Sequence, residues 1–223
     1  AYGQEQVTAL TEKWLTLVYV QGQTLTTMGR FKKPADISFL FAPAQEAAGE
    51  IEKLKRDRKT PINEASTVMD GCNIFSYPAF EDAKTLVEST KEFYEQISFY
   101  GNRILKSGSD EAKAWYEAYH AVATAVKDFV LGNVPKIMQW TGAEDAEAAA
   151  AYFKGATANV DGFKGLSGGS APAQAATAAP TGASAPAGAD LGGDFEKATK
   201  ALGETLKVAA DKLAVAQVSK GTD

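Results

Sequence analysis

From Val7 to Phe129 the apolar residues fall at alternating steps of three and four, and no stretch alternates apolar with polar residues as a strand does. That spacing gathers apolar side chains along one side of a helix, so the chain is confined to an all-α fold. Val7, Leu10, Trp14, Leu17, Leu25 and Met28 mark a first helix face, interrupted by Gln21, and Ile37, Leu40, Ala44, Ala48, Ile51 and Leu54 mark a second after Pro34. Val68, Cys72 and Phe75 belong to a third helix, opened at Pro61 and closed before Pro78. A fourth, from about Phe80 to Lys106, carries Ala83, Leu86, Phe93, Ile97, Ile104 and Leu105, and Gly108 stands at its C-terminal cap. Ser109 or Asp110 caps a fifth, whose Ala112, Trp115, Tyr119, Val122, Val126 and Phe129 form the cleanest stripe in the chain. A short sixth spans Ala143 to Lys154, with Glu144, Asp145 and Glu147 at its positive end and Gly155 stopping it. The short connections favour an antiparallel six-helix bundle over residues 1–160.

The composition changes abruptly after Leu166. Ser167 to Gly193 is almost entirely Ala, Gly, Ser, Thr and Pro with Asp190 as its only charge, so residues 161–193 are predicted to be a disordered linker. Its Ala-Pro pairs could serve proline-reading domains, but no P-x-x-P with a flanking cation occurs and a spacer is the simpler reading. Residues 194–218 return to helical spacing with Phe195, Ala198, Leu202, Ala209 and Leu213, weakened by Gly203. An amphipathic helix of that size cannot bury a core alone; it is marginal in isolation or packs on a partner.

The residue inventory excludes several chemistries. With 223 residues, 45% apolar, 23% charged and a net charge of −5, the chain is an ordinary globular one without the basic surplus that nucleic-acid binding requires. No apolar run approaches the roughly 20 residues that cross a bilayer, and no secretory leader pattern opens the chain, so neither membrane insertion nor secretion is expected. The missing initiator Met suggests a fragment or a processed chain. Glu117 and His120 form one Glu-x-x-His pair, but a di-iron bundle needs two and there is no second histidine. The same scarcity defeats Ser-His-Asp and Cys-His arrangements, and Cys72 is most simply a core thiol. Glycine-rich phosphate loops in a strand-turn-helix setting are absent, and Asp110 with Glu111 fits a dipole-complementing first turn better than acid-base work. Neither an enzyme nor a cofactor or metal is expected.

Two basic features remain. Lys53, Lys55, Arg56, Arg58 and Lys59 close the second helix, where the dipole alone favours cations. Arg103 and Lys106 close the fourth, beside Phe99, Tyr100 and Asn102, a mixture of aromatic, amide and cationic groups that recurs in protein interfaces. Two readings of Arg103 stand open: it contacts a partner, or it pairs with a carboxylate of a neighbouring helix while Asn102 caps a backbone group.

Phe99-Tyr100-Gly101-Asn102-Arg103-Ile104-Leu105-Lys106 resembles the F-Y-x-N-R-[VI]-L-K segment in the N-terminal helical domain of the cyclase-associated proteins. Ala42-Pro43 with Glu46 resembles the A-P-x-x-E opening of a helix in that family, and Asn63 with Ser66 and Val68 its N-x-x-S-x-V stretch. Asp70 stands where the family has Glu and Tyr77 where it has Trp, while Trp115, Tyr119 and Trp140-Thr141-Gly142 continue the likeness in order. The resemblance implies a dimerising helical bundle that works with ADF/cofilin on actin filaments in the cytoplasm and cytoskeleton, without catalysis. It makes Asn63, Tyr100, Asn102, Arg103 and Lys106, with Lys55, Arg56, Arg58 and Lys59, the candidate actin or cofilin contacts. An adaptor that binds signalling proteins such as an adenylyl cyclase is the alternative. Long polyproline runs are missing, Leu206-Lys207-Val208 is a poor likeness of the WH2 actin-monomer motif, and no β-solenoid follows before Asp223, so the expectation narrows to the bundle's own role. The tyrosines and phenylalanines of the fourth and fifth helices exceed what one seam needs, which points to pairing with a second copy.

Overall fold

The computed structural model describes residues 4–158 and 190–219. Among these, seven α-helices carry the fold: α1 (Gln4–Arg30), α2 (Ala42–Arg56), α3 (Ile62–Gly71), α4 (Ala83–Ser107), α5 (Asp110–Asn133), α6 (Ala149–Thr157) and α7 (Leu191–Ser219). No strand joins them; Phe31 and Glu144 form one isolated bridge. The expected all-α bundle is what these residues form. Most of the linker expectation falls on residues 159–189, which lie outside the described part.

α1 is the central helix. Leu10, Trp14 and Leu17 are buried on one side, Leu15 and Val18 on another and Val20 on a third, because α2, α3, α6 and α7 all pack against it. A helix apolar on nearly every side belongs inside a bundle. α3 packs on α4, α4 on α5, and α5 on α7, which closes the structure back onto α1. At the centre Trp14 lies 4.5 Å from Tyr119 and 5.6 Å from Phe75, with Trp115 stacked 5.5 Å from Tyr119. Trp115 Nε1 donates to Thr11 Oγ1 at 3.0 Å, so its buried donor is satisfied.

Helix ends follow the local chemistry in most places. Asp82 caps α4 by accepting from Thr85 N at 2.8 Å, and Ser109 caps α5 by accepting from Ala112 N at 3.2 Å. The third helix is shorter than its periodicity suggests: α3 ends at Gly71, and a 3-10 stretch over Cys72–Ala79 takes Pro78 inside it. The sixth begins with a 3-10 turn, Ala146–Ala148, and Gly155 does not stop it, since α6 runs through to Thr157. Gly108 caps α4, though with extended backbone (φ −74°); it is required there because a Cβ would lie 2.6 Å from the Ile104 carbonyl oxygen.

α7 departs furthest from expectation. It starts at Leu191, before the anticipated boundary at 194, and it packs on α1 and α5 of its own chain. The buried line is Phe195, Thr199, Leu206, Ala210 and Leu213, while Ala198 faces solvent and Leu202 and Ala209 are half-buried. Gly203 faces α1: a Cβ there would sit 3.2 Å from Leu15 Cδ2, a tight contact, so the two helices approach closely at this glycine. Leu206, the first residue of the WH2-like triplet, is fully buried in that contact.

Candidate functional site

The candidate segment occupies the C-terminal half of α4, and its spacing divides it between core and surface. Ile97, Gly101 and Ile104 turn inward. Phe99, Asn102, Arg103, Leu105 and Lys106 are exposed and Tyr100 is half-buried. What sets the distance between α4 and its neighbour is Gly101, because a Cβ there would fall 2.0 Å from the Tyr116 ring of α5. The F-Y-x-N-R pattern leaves this glycine as an unspecified position, so its fit to α5 carries no signal in the pattern.

On the outer surface the aromatic residues hold the arginine. Phe99 and Tyr100 meet edge to face at 5.0 Å, and the Arg103 guanidinium carbon lies 4.8 Å from the Phe99 centroid and 5.2 Å from that of Tyr100. Such stacking is worth about 0.5–1 kcal/mol at an exposed site and narrows the rotamers the side chain samples. Arg103 makes no ion pair among the described residues. Among the described residues the rings of Phe99 and Tyr100, rather than a carboxylate of a neighbouring helix, lie against the guanidinium. Nor does Asn102 cap a backbone group; its side chain points out from mid-helix. Lys106, three residues on from Arg103, shares its face.

The basic end of α2 is arranged differently. Arg56 Nε is bound to Glu52 Oε1 at 3.2 Å, an i,i+4 pair of little energetic weight at this exposure. Lys55 is half-buried and its charge acts on Asp70 of α3, whose carboxyl is pushed up mainly by burial and drawn back by Lys55. Arg58 and Lys59 are exposed on the turn after α2, which Asp57 shapes by accepting from Lys59 N at 3.0 Å. Asn63 follows, half-buried in the first turn of α3, with exposed Ile62 beside it. The neighbouring Glu64 is buried, and desolvation pushes its carboxyl up. α3 packs against both α2 and α4.

Five large apolar side chains are exposed among the described residues: Ile62, Phe99, Leu105, Val208 and Val215. Phe99 and Leu105 lie within the α4 segment and Ile62 adjoins Asn63, so exposed apolar and free cationic groups coincide twice. Ile62 is a residue that the periodicity could not assign, since it precedes the first buried position of α3.

Elsewhere the chemistry is sparse. Glu117 is exposed and His120 half-buried, held by Tyr94 Oη at 2.8 Å from its Nε2. Burial, with Lys127 adding a smaller effect, lowers the imidazole pKa. Cys72 Sγ donates to the Val68 carbonyl at 3.3 Å and burial pushes its thiol up to about 12, which makes it a poor nucleophile. No cluster of His, Cys, Asp and Glu among the described residues could hold a metal, and no helix there is long and apolar enough to cross a membrane. A cleft of about 550 Å³ lies between the end of α1, residues 136–141 and the start of α7, and none of the candidate residues lines it.

The family model described as "CAP, N-terminal domain" matches residues 2–134. The chain belongs to the cyclase-associated protein family. The matched region takes in α1 to α5 and so contains both cationic patches; α6 and α7 follow it. No curated protein and no solved structure matches the chain. Membership accounts for the helical bundle and for the F-Y-G-N-R-I-L-K segment, whose inward residues fit α4 to α5 and whose outward residues are left free.

Proposed function

We propose that this domain is a non-catalytic actin-turnover module of the cytoplasmic cytoskeleton, which uses the outer face of α4 to engage actin or ADF/cofilin and promote filament disassembly. The observation that carries the reading is Arg103, laid on Phe99 and Tyr100 without an acidic partner and flanked by Asn102, Leu105 and Lys106. A guanidinium held this way offers donors in a fixed fork to a carboxylate on another protein, while Phe99 and Leu105 supply apolar area beside it. Actin is acidic and so is this chain, so local cations are what allow the two to meet; Lys55, Arg58, Lys59 and Asn63 extend the contact as a second patch. The mechanism is differential binding: contact that favours a filament subunit in its departing geometry lowers the barrier to dissociation with no covalent step.

Arg103→Ala combined with Lys106→Ala tests this. Both side chains are exposed, so thermal stability should stay within about 1 kcal/mol of the parent chain while stimulation of cofilin-driven disassembly is lost. Undiminished stimulation by a stable double variant would move the contact to Arg58 and Lys59. Failure of the parent chain to cosediment with filaments, with or without cofilin, would favour the adaptor reading in which signalling proteins such as an adenylyl cyclase are bound instead.

A further inference from the structure

α4 ends on a serine that stands beside the candidate arginine. Ser107 is exposed, and its Oγ donates to the Arg103 carbonyl oxygen at 2.9 Å, so the two residues lie one turn apart on the same face. Beyond it the chain leaves the helix: Gly108 (φ −74°, ψ 163°) and Ser109 (φ −66°, ψ 166°) are extended before α5 begins at Asp110. An enzyme cleft therefore reaches the Ser107 hydroxyl at a helix end, without opening the bundle. Asp110, three residues on, has a fully exposed side chain with Lys113 Nζ 3.6 Å from its Oδ1, and Glu111 follows it. The neighbouring hydroxyls are committed elsewhere. Ser109 is half-buried and caps α5, and Thr60, beside Arg58 and Lys59, is buried with its Oγ1 donating to the Leu54 carbonyl at 2.6 Å.

We infer that Ser107 is the phosphoacceptor of a protein kinase that selects serine by carboxylates on its C-terminal side, and that the phosphate draws Arg103 off the aromatic rings of α4. Transfer forms the bond from Ser107 Oγ to the γ-phosphorus of ATP and breaks the one from that phosphorus to the bridging oxygen, which leaves on ADP; the hydroxyl proton passes to the base of the kinase. The ester has no proton to donate, so the bond to the Arg103 carbonyl is lost. In its place stand a charge of about −2 and three acceptor oxygens, one turn from the Arg103 guanidinium. The helix dipole opposes an anion at this end, so the phosphate depends on cationic side chains: Arg103 on its own face and Lys106 at the adjoining position. Arg103 then has two seats. With Ser107 unmodified it lies over Phe99 and Tyr100, 4.8 and 5.2 Å from their centroids. With the phosphate in place, charge-assisted hydrogen bonds outweigh an exposed ring contact, and the guanidinium turns toward the end of the helix. The donors that face outward for an acidic partner are then taken up within the chain. That regulatory consequence rests on the actin reading; the modification itself does not.

Incubating the full chain with an acid-directed serine kinase, ATP and magnesium tests the site, the modified position being read by mass spectrometry of peptides. One phosphoryl group on Ser107 is expected, incorporated roughly tenfold more slowly in Asp110→Asn. No phosphate at Ser107, phosphate on Ser109 instead, or an unchanged rate in Asp110→Asn would overturn the assignment. The change of seat is read by a phosphorus NMR titration of the phosphorylated chain. A guanidinium bound to the phosphate holds its second pKa below the ordinary value of about 6, and Arg103→Ala should bring it back up, with Lys106 and Asp110 acting alike in both chains. Arg103 is exposed, so the variant keeps the fold. Equal values in the parent chain and in Arg103→Ala would refute the clamp. The phosphorylated chain should also stimulate cofilin-driven disassembly roughly tenfold less than the unmodified one, and equal stimulation would overturn the regulatory consequence. If the unmodified chain gives no stimulation, the actin reading falls and the regulatory consequence with it, while the labelling and the titration still decide the role of Ser107.

Discussion

Gly101 shows how one missing side chain positions a whole surface. Its Cα faces the Tyr116 ring so closely that a methyl group has no room, and neither α4 nor α5 can move without disturbing the buried Ile97, Ile104 and Trp115 around it. Gly101→Ala, a substitution that normally favours a helix, should here cost about 2 kcal/mol or more, because overpacking outweighs the propensity gain; an unchanged melting temperature would contradict the close approach. A second residue gives a pH signature. His120 is hydrogen-bonded to Tyr94, flanked by Tyr116 and Lys127, and its folded-state pKa lies below the ordinary value. The unfolded chain therefore takes up the proton first, so the contribution of His120 is fully present above about pH 6.5 and declines as the pH falls below it. Glu64, with its folded pKa raised, acts in the opposite sense: it favours the fold most at low pH and less as the pH rises past the unfolded carboxylate value. In urea melts followed from pH 7 to 5, His120→Gln should remove the part of any stability loss that belongs to the imidazole; an identical slope in parent and variant would rule His120 out as its source. Roles of this kind were partly legible in the sequence. The outward set Phe99, Asn102, Arg103 and Lys106 could be read from spacing, whereas the fit of Gly101 to Tyr116 depends on which helix lies opposite.

Among the helices, α4, α5 and α1 were readable because their apolar residues are large and periodic. The register of α7 differs from its apolar spacing because its buried line includes Gly192, Thr199 and Gly203, which an apolar count does not score. Small residues at a helix contact signal close backbone approach, and only the neighbouring helix shows whether they are holes or weaknesses. The distinction can be measured. If Gly203 were merely a poor helix former, Gly203→Leu would stabilise α7 through propensity; because Leu15 lies opposite, the larger side chain should instead lift the helix and lower the melting temperature. A raised melting temperature would restore the propensity reading. The boundaries of α3 and α6 show a related limit. Proline and glycine chemistry places the end of one at Pro78 and of the other at Gly155, yet Pro78 sits inside a 3-10 stretch and Gly155 inside α6, where Phe75, Tyr77 and Phe153 are buried and hold those segments in place.

For the molecule as a whole, the order in which helices meet was beyond the sequence, since an apolar stripe says that a face is covered and not by what. The structure places α1 at the centre, with the last helix beside it and α5. This arrangement ranks the helices by how much must open to expose them. α1 is enclosed by four others, so its amides exchange only when the bundle as a whole opens. α7 is attached through one face, and its release leaves the packing of Trp14 and Trp115 on Tyr119 in place, since none of these rings belongs to it. Its amides should therefore exchange as a unit at a lower free energy than those of α1, with α4 and α5 in between or level with α1. Hydrogen exchange resolved by helix tests this in the full chain: Leu206→Ala should hasten exchange throughout α7 by at least tenfold, corresponding to the roughly 2–5 kcal/mol that loss of a buried leucine costs, while leaving α1 to α4 little changed. Uniform acceleration across all seven helices would mean that α7 is an inseparable part of the core, and in that case the groove it fills could not open without unfolding the bundle.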